Sequence, residues 1–564
     1  MQVNVTTESK KQQQFAEDDL FQNTEGYYQK KYEELEKKYE AQRLELIEFK
    51  AQAHFWKAQF ERVKLRQDEL EAKVEELTAA LKKREQELFG KKTEKYNRSE
   101  QKRNEKLVRN RGQQIGSKGH GRREHENLPQ QIEIIDLSEK EKYCPCCGLP
   151  YEEIFGTEDS EVVEINVSAY TRMIKRKKYK PCCKCNHRAQ IITAPVTEKL
   201  LPKSKIGVSI WALLLLDKYE YAQPLNRSLE KLSCSGLSLA AGTVTDGFQR
   251  LVPLFSAVYD AIANRNTEAE HWHADETGWK VFEKIEGKNT NNWYLWIFKN
   301  KETVAFKIAP TRSSQVLVDH FGKDHKGGIL SVDRFSAYKA IAKKGLFILA
   351  FCWAHVRRDF LKYCKGYPEA EKWGLSWIDE IGKLYHVNNL RIRYREKAKM
   401  FRKYNRELEK AVQQMREKLD RELEDKSTAT AAKKILESLD KHWEGLTVFV
   451  GYPQIPMDNN EAERGLRPSV VGRKNYYGSG AIWSAQLAAY LFSILGTVKL
   501  WGINPQTWLL SYLEECAHCG GREPQDIDQF LPWKMTDEQR KIFCEPPKIK
   551  LPITLNAPAV DSTG

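Results

Sequence analysis

The stretch His271–Val281, HWHADETGWKV, places one carboxylate, Asp275, in the middle of a run of strand formers. Trp272, Trp279, Val281 and Phe282 are bulky β-formers, and the next apolar run, Trp293–Phe298 (WYLWIF), has the length and composition of a hairpin partner. A carboxylate inside such a strand is costly to bury without a cation or a donor. A single Asp is most simply placed on the wet face of an edge strand, so its significance depends on whether other carboxylates converge on it. Strand alternation sends the neighbouring Glu276 to the opposite face from Asp275, and it remains a rival whose standing depends on which face meets the other carboxylates.

Downstream, Thr303–Ile308 reads as a third strand, SSQVLVDHFG as a helix, Gly327–Val332 as a fourth strand and Leu346–Cys352 as a fifth. Asp333 stands directly after the fourth strand, the strand-end position at which α/β folds place ligand-binding groups. Residues 369–452 are charged and helical and read as an insertion. The chain then returns with MDNNEAERGLRPSVVGRKNYYGSG. Asp458 and Glu461 have the spacing of a capping box, which predicts a helix start there with Glu463 one turn inside. Strand Asp, strand-end Asp and helix Glu are the pattern by which a ribonuclease-H-like sheet holds two divalent ions, and oxygen donors suit Mg²⁺ or Mn²⁺. Arg464, Arg467, Arg473 and Lys474 lie beside this site and fit phosphate contacts. His355, in CWAHVRRDF, is read either as a satisfied core histidine or as a DNA contact.

The 564 residues carry a formal net charge of +14, are 41% hydrophobic and 30% charged, and contain 12 Cys. The charge points to a polyanionic partner, nucleic acid before membrane, because the longest apolar run, near Leu213–Leu216, is far too short to span a bilayer. The beginning, MQVNVTTESKKQQQ, has no apolar signal core, so a cytoplasmic, nucleoid-associated protein is expected, with thiols serving metal instead of disulfides.

In the N-terminal part, Tyr28, Tyr32, Leu35, Tyr39, Leu46, Phe49, Ala53, Trp56, Phe60, Val63, Gln67, Leu70, Val74, Leu77, Leu81 and Leu88 alternate by threes and fours among charged residues. This predicts a coiled coil that pairs protomers, or one long helix packed on its own chain. Between Lys95 and Glu126 ten Lys/Arg stand against four acidic residues, including Arg111, Lys118, Arg122 and Arg123, as expected of an arm lying along phosphates or of a solvated linker. Cys144 and Cys147, with Cys182 and Cys185, form two C-x-x-C knuckles of a structural zinc ribbon, in which Cys146 and Cys183 are spare neighbours. Cys516-Ala-His-Cys519 makes only half of such a site. LNRSLEKLSCSGLSLAAGTVTDGFQRLV, with a turn at Ser235-Gly236, reads as a helix-turn-helix, although ordinary cores hold similar helix pairs equally often.

Taken together, FGKKTEK, GQQIGSKGHGR, the paired C-x-x-C, HADETGWKV, SVDRFSAYK, CWAHVRRDF, DNNEAERGLRP with VGRKNYYGSG, and GINPQTWLLSYLEE…FLPW resemble the DDE transposases of the bacterial insertion-sequence sixty-six family, TnpC type. The resemblance runs from about Tyr28 to Trp533. It implies that Asp275, Asp333 and Glu463 are the catalytic, metal-binding triad, and that Glu461 stands where the family carries a small residue. Ile115 and Ser117 depart from the Pro and His usual in the arm, and the ribbon has extra cysteines.

The expected fold class is multidomain α/β: a polar N-terminus (1–27), a coiled coil (28–90), a basic arm (91–130), a zinc ribbon (131–200), a helix-turn-helix region (201–265), a ribonuclease-H-like core (266–368 and 453–500) interrupted by a helical insertion (369–452), a C-terminal helical region (501–535) and a tail (536–564). The implied activity is Mg²⁺-dependent cleavage and strand transfer at terminal inverted repeats by a homodimer or larger assembly, with accessory transposition proteins as further partners. A catalytically silent DNA-binding regulator and a nuclease that cuts without joining are the alternatives.

Overall fold

The computed structural model of the chain describes residues 8–89, 136, 138, 142, 144–151, 169–179, 191–196, 198–288, 290–343, 345 and 347–547. The elements begin with helix α1 (Glu8–Phe89), strands β1 (Lys178–Tyr179) and β2 (Ile192–Thr193), and helices α2 (Val208–Tyr219), α3 (Leu225–Cys234), α4 (Ala241–Leu251) and α5 (Ser256–Thr267). Strands β3 (His271–Lys280), β4 (Asn292–Lys299) and β5 (Val304–Ala309) follow, then α6 (Gln315–Phe321), β6 (Gly328–Val332), α7 (Ser336–Ala342) and β7 (Phe347–Phe351). Helices complete the chain: α8 (Trp353–Gly366), α9 (Glu371–Arg393), α10 (Ala398–Glu424), α11 (Thr430–Lys441), α12 (Trp443–Gly451), α13 (Asn460–Tyr476), α14 (Ile482–Leu500), α15 (Pro505–His518) and α16 (Asp537–Cys544). No helix among the described residues is long and apolar enough to cross a membrane.

The chain divides into two compact units, one of Met1–Lys92, Arg357–Lys383 and Met415–Ser438, the other of Thr93–Val356, Leu384–Gln414 and Leu439–Gly564. The predicted insertion is therefore not one body. Helices α9 and α10 have 23 and 27 residues; at ~1.5 Å per residue they run about 35 and 40 Å, and each has its ends in different units. In the first unit, Trp373 and Trp377 both donate their indole N–H to Glu422 Oε2, at 2.9 and 2.8 Å. Phe360 stacks on Trp377, and α1 approaches closely enough that a Cβ at Gly366 would lie 3.2 Å from Ala79, a tight contact. The 82-residue α1 keeps its predicted seam in solvent: Trp56 and Phe60 are each 68% exposed.

The second unit is built on a five-stranded sheet of order β5-β4-β3-β6-β7. The pairs β3–β4 and β4–β5 are antiparallel, whereas β6 and β7 run parallel to β3. The run WYLWIF becomes β4, second from the edge and buried on both faces. Leu295 and Ile297 join one core with Trp279, α2, α4, α5 and α14, while Trp296 and Phe298 join the other with Trp272, α6 and α7. The predicted third strand starts one residue late. Thr303 belongs to a turn, where its N–H donates to Asn300 Oδ1 at 2.8 Å and its carbonyl accepts from Asn300 N–H at 3.0 Å. The outer edge of β5 is closed by α14: Thr497 Oγ1 and Ser493 Oγ accept from the backbone N–H groups of Val304 and Phe306, at 3.0 and 2.8 Å. Covering the edge this way denies it to a foreign strand.

The helices α3 and α4 stand where the helix-turn-helix was expected, with Gly236 between them at φ +83°. Strands β1 and β2 pair antiparallel in the expected ribbon segment. The basic arm (91–130) and the second knuckle, with Cys182 and Cys185, lie outside the described residues.

Candidate active site

Strand pairing explains why two distant aspartates meet. Strands β3 and β6 run parallel in the register His271↔Ile329, Trp272↔Leu330, His273↔Ser331. Carried two residues further, the same register sets Asp275 beside Asp333, on strands ~4.8 Å apart. Asp333 Oδ1 accepts from the N–H of Phe335 at 2.9 Å, which holds its carboxylate at the turn into α7. Helix α13 lies on the face of the sheet that carries Asp275. It comes so close that a side chain at Gly465 would sit 2.5 Å from Ile297 Cδ1. Glu463, two residues earlier, is thereby brought to the same end of the sheet.

The electrostatics agree with this convergence. Burial, first, and then the charges of Glu276, Asp333 and Glu463 push the Asp275 carboxyl up to about 7, against one opposing hydrogen bond from the Glu276 N–H. Three carboxylates within mutual electrostatic reach form an all-oxygen donor set suited to hard divalent cations. Their oxygens are nonetheless not packed as ligands of one ion. Among the described residues, the trio of His, Cys, Asp or Glu donors lying within 4.8 Å of one another is Cys352, His355 and Glu463.

Glu276 turns the other way, as alternation predicts. Its side chain is 1% exposed and accepts from Arg312 Nε at 2.9 Å and from the Tyr338 hydroxyl. Burial raises its pKa while these two partners oppose the rise. The Arg312 guanidinium also lies 3.8 Å from the centre of the Phe335 ring, two residues from Asp333.

The start of α13 is fixed by a residue that the sequence pattern did not single out. Asn459, 2% exposed, donates from Nδ2 to the carbonyl of Ala274 at 2.8 Å. That fixes the orientation of its amide, so Oδ1 accepts from Nδ1–H of His273 at 3.0 Å. Its backbone N–H donates to Cys352 Sγ at 3.2 Å, and its carbonyl accepts from Ala462 and Glu463. One buried amide thus clips the residue before Asp275 to the helix carrying Glu463 and to the end of β7. An Asn before a helix suggests only a cap; the partner 185 residues away carries no local signal.

The predicted capping box does not form. Helix α13 starts at Asn460 with Asn459 as its cap residue, and Asp458 Oδ1 accepts from the Asn460 N–H. Glu461 is drawn away by Lys299 Nζ at 2.5 Å and by Arg464, and these cations hold its carboxyl down at about 2. A cation from β4 outcompetes the local cap.

His355 sits at the start of α8 with Nε2 3.9 Å from Glu463 Oε1, so it belongs to the site. The spacing Cys352-x-x-His355 was the available signal for this cluster. Of the predicted DNA contacts, Arg467 and Lys474 are exposed and Arg464 is exposed but paired with Glu461. Arg473 has a structural task as well, donating from one nitrogen to Thr277 Oγ1 at 3.1 Å and to the carbonyl of Gly278. Arg111, Lys118, Arg122 and Arg123 lie outside the described residues. In the first knuckle, Gly148 N–H bonds back to the Cys144 carbonyl at 2.9 Å. Backbone hydrogen bonds from Cys146 and Cys147 lower the Cys144 thiol to about 7, which favours the thiolate a metal requires. Cys516 is a buried core thiol, pushed up to about 12 by burial.

A sequence profile of the family described as "Transposase IS66 family" matches residues 203–487, just over half of the chain. Among curated proteins, the uncharacterized proteins y4hP and y4jD of Sinorhizobium fredii are similar, at 24% and 25% identity. These matches cover 69% and 73% of this chain and 73% and 82% of the relatives. A third, y4qI of the same organism, is 24% identical over 71% of this chain and 75% of its own length. No solved structure matches.

Proposed function

Because the chain belongs to the IS66 family of transposases, we propose that it cuts the terminal inverted repeats of a mobile DNA element and joins the freed 3′-hydroxyls to target DNA. The observation that carries this reading is the meeting of Asp275, Asp333 and Glu463 at one end of the sheet, with Asp275 pushed up to about 7 in part by the other two. The sheet order, with an antiparallel β3-β4-β5 meander continued by parallel β6 and β7, supports a ribonuclease-H-like core. Asp275, Asp333 and Glu463 are the residues that would hold two Mg²⁺ or Mn²⁺. Such ions activate the attacking water or hydroxyl and offset the charge on the leaving oxygen.

The chain's own groups bind and orient the DNA. Arg464, Arg467, Arg473 and Lys474 on α13 take phosphates beside the carboxylates, and His355 contacts the strand at the same place. The arm with Arg111, Lys118, Arg122 and Arg123, together with α3 and α4, recognises the ends. Cys144, Cys147, Cys182 and Cys185 hold a structural Zn²⁺. The apolar seam of α1, exposed in a single chain, pairs two protomers so that both ends are handled together. The protein works in the cytoplasm on nucleoid DNA, with small accessory proteins as further partners.

The decisive measurement is cleavage and strand transfer of an end-containing duplex in Mg²⁺. Alanine at Asp275, Asp333 or Glu463 is expected to lower both by at least ~10³-fold with end binding unchanged. Full activity of Asp275→Ala sinks the assignment, and cleavage without joined products identifies a nuclease instead.

A further inference from the structure

Three non-glycine residues among those described have left-handed backbone: Lys203, Ala222 and Tyr477, at φ +64°, +57° and +66°. A bulky residue in this region is strained, and such strain persists only where the surroundings enforce it, often at a binding site. Burial does not explain Tyr477, which is 72% exposed at the C-terminus of α13.

Its flanks are held on every side. The Tyr477 N–H bonds to the Arg473 carbonyl at 2.8 Å. Next to it, Gly478 lies so close to β3 that a Cβ would be 2.3 Å from the Lys280 carbonyl oxygen. Ser479 N–H donates to that carbonyl at 2.9 Å and Ser479 Oγ accepts from the Trp279 indole at 3.1 Å. On the other side, Asn475 Nδ2 donates at 2.8 Å to the carbonyl of Ala222, which is itself left-handed.

That bond ties the last turn of α13, two residues before Tyr477, to the residue after a second tyrosine, Tyr221, which is 63% exposed. Phe282, 49% exposed, is tied in through its N–H to the Ser479 carbonyl at 3.0 Å. Hydrogen bonds thus join the segments that carry three exposed aromatic residues, Tyr221, Phe282 and Tyr477, with exposed Lys474 and partly exposed Arg473 just before Tyr477 on α13.

Aromatic faces interleaved with cations suit a nucleic-acid strand, whose bases stack while its phosphates pair. The patch meets β3 at Lys280, five residues beyond Asp275, hence ~16 Å away, or about five base steps of 3.4 Å. We propose that Tyr477 stacks on an unpaired base of the bound DNA about five nucleotides from the scissile phosphate. This rests on the transposase reading and adds a contact to it.

The test uses the full chain and an inverted-repeat end carrying 2-aminopurine at successive positions around the fifth nucleotide, once as duplex and once with that stretch single-stranded. A fluorescence change confined to one position, kept in Tyr477→Phe and lost in Tyr477→Ala and Tyr477→Gly, is expected, with end affinity about tenfold weaker in the latter two. Tyr477→Gly also relieves the left-handed strain, so its melting temperature should equal or exceed that of the parent, which excludes a folding defect as the cause. A signal only in the single-stranded probe identifies single-stranded DNA as the ligand; a signal in the duplex identifies a base flipped out of it. Parent-like signal and affinity in Tyr477→Gly, or no position responding in either probe, overturns the proposal. The Asp275→Ala variant, measured alongside, separates this result from failure of the transposase reading, since it fails to lose cleavage only in the second case.

Discussion

Asp275 and Glu276 are adjacent carboxylates on one strand, and they leave it into opposite surroundings. Glu276 enters the face built on Trp296, Phe298 and Tyr338, where Arg312 and the Tyr338 hydroxyl meet its charge. Asp275 enters the face covered by α13, where burial and the charges of Glu276, Asp333 and Glu463 push its carboxyl up to about 7. One carboxylate is complemented by its own chain; the other is surrounded by like charge. A protein keeps such an arrangement at a cost to stability, and functional sites are where that cost is found. The difference is what the proposed role of Asp275 as a cation ligand requires.

The largest expected effect is on the complemented side. Glu276→Ala leaves the Tyr338 hydroxyl buried and Arg312 without its partner. Removing one member of a buried pair costs ~3–5 kcal/mol. Arg312, 41% exposed, recovers part of this by hydration, so about 3 kcal/mol is expected. Denaturant unfolding of the metal-free protein measures it. A loss under ~1 kcal/mol would show that the two faces do not differ as described.

The sequence carried one half of this contrast. Strand alternation in HADETGWK was sufficient to separate the two side chains, and the length and composition of the apolar run WYLWIF to identify the neighbouring strand, because both signals are local. The partners were not legible. That Asp275 lies beside Asp333 depends on the register of β3 against β6, which no local pattern sets. Glu461 looked like half of a capping box because its competitor, Lys299, is 162 residues away. Residues 369–452 read correctly as helices but not as parts of two units, since helix length is local and cluster membership is not.

A second effect has the opposite sign. With the folded pKa of Asp275 near 7 and an ordinary value of 3.8, the folded state binds the proton more tightly than the unfolded state. Its favourable contribution is complete below pH ~4 and is lost as pH rises towards ~7. The metal-free protein should therefore gain stability from Asp275→Asn at pH 8, by about 2 kcal/mol, and little at pH 4. The full shift of about 3 units sets an upper bound of ~4 kcal/mol. Melting temperatures at the two pH values decide it. Equal differences at both would mean that burial and the neighbouring charges do not raise the Asp275 carboxyl. Saturating Mg²⁺ should raise the parent's melting temperature at pH 8 more than that of the Asn variant, because the cation compensates a charge the variant lacks.

The smallest effect concerns what holds the uncomplemented side in place. Asn459 ties the Ala274 carbonyl, His273 and Cys352 to the start of α13. Asn459→Ala leaves that carbonyl and the His273 N–H without their partner, at about 1 kcal/mol once water or relaxation compensates in part. A stability change of that size is modest, yet Asp275 and Glu463 stand on the two elements the amide joins. Small displacements of ligands weaken a metal site more than they weaken a fold. Mn²⁺ binding, followed by titration calorimetry, should weaken by ~10-fold or more in Asn459→Ala. In His273→Asn, whose side-chain amide can still donate to Asn459 Oδ1, binding should be largely retained. Equal Mn²⁺ affinity in Asn459→Ala and the parent would show that the triad is held by packing alone.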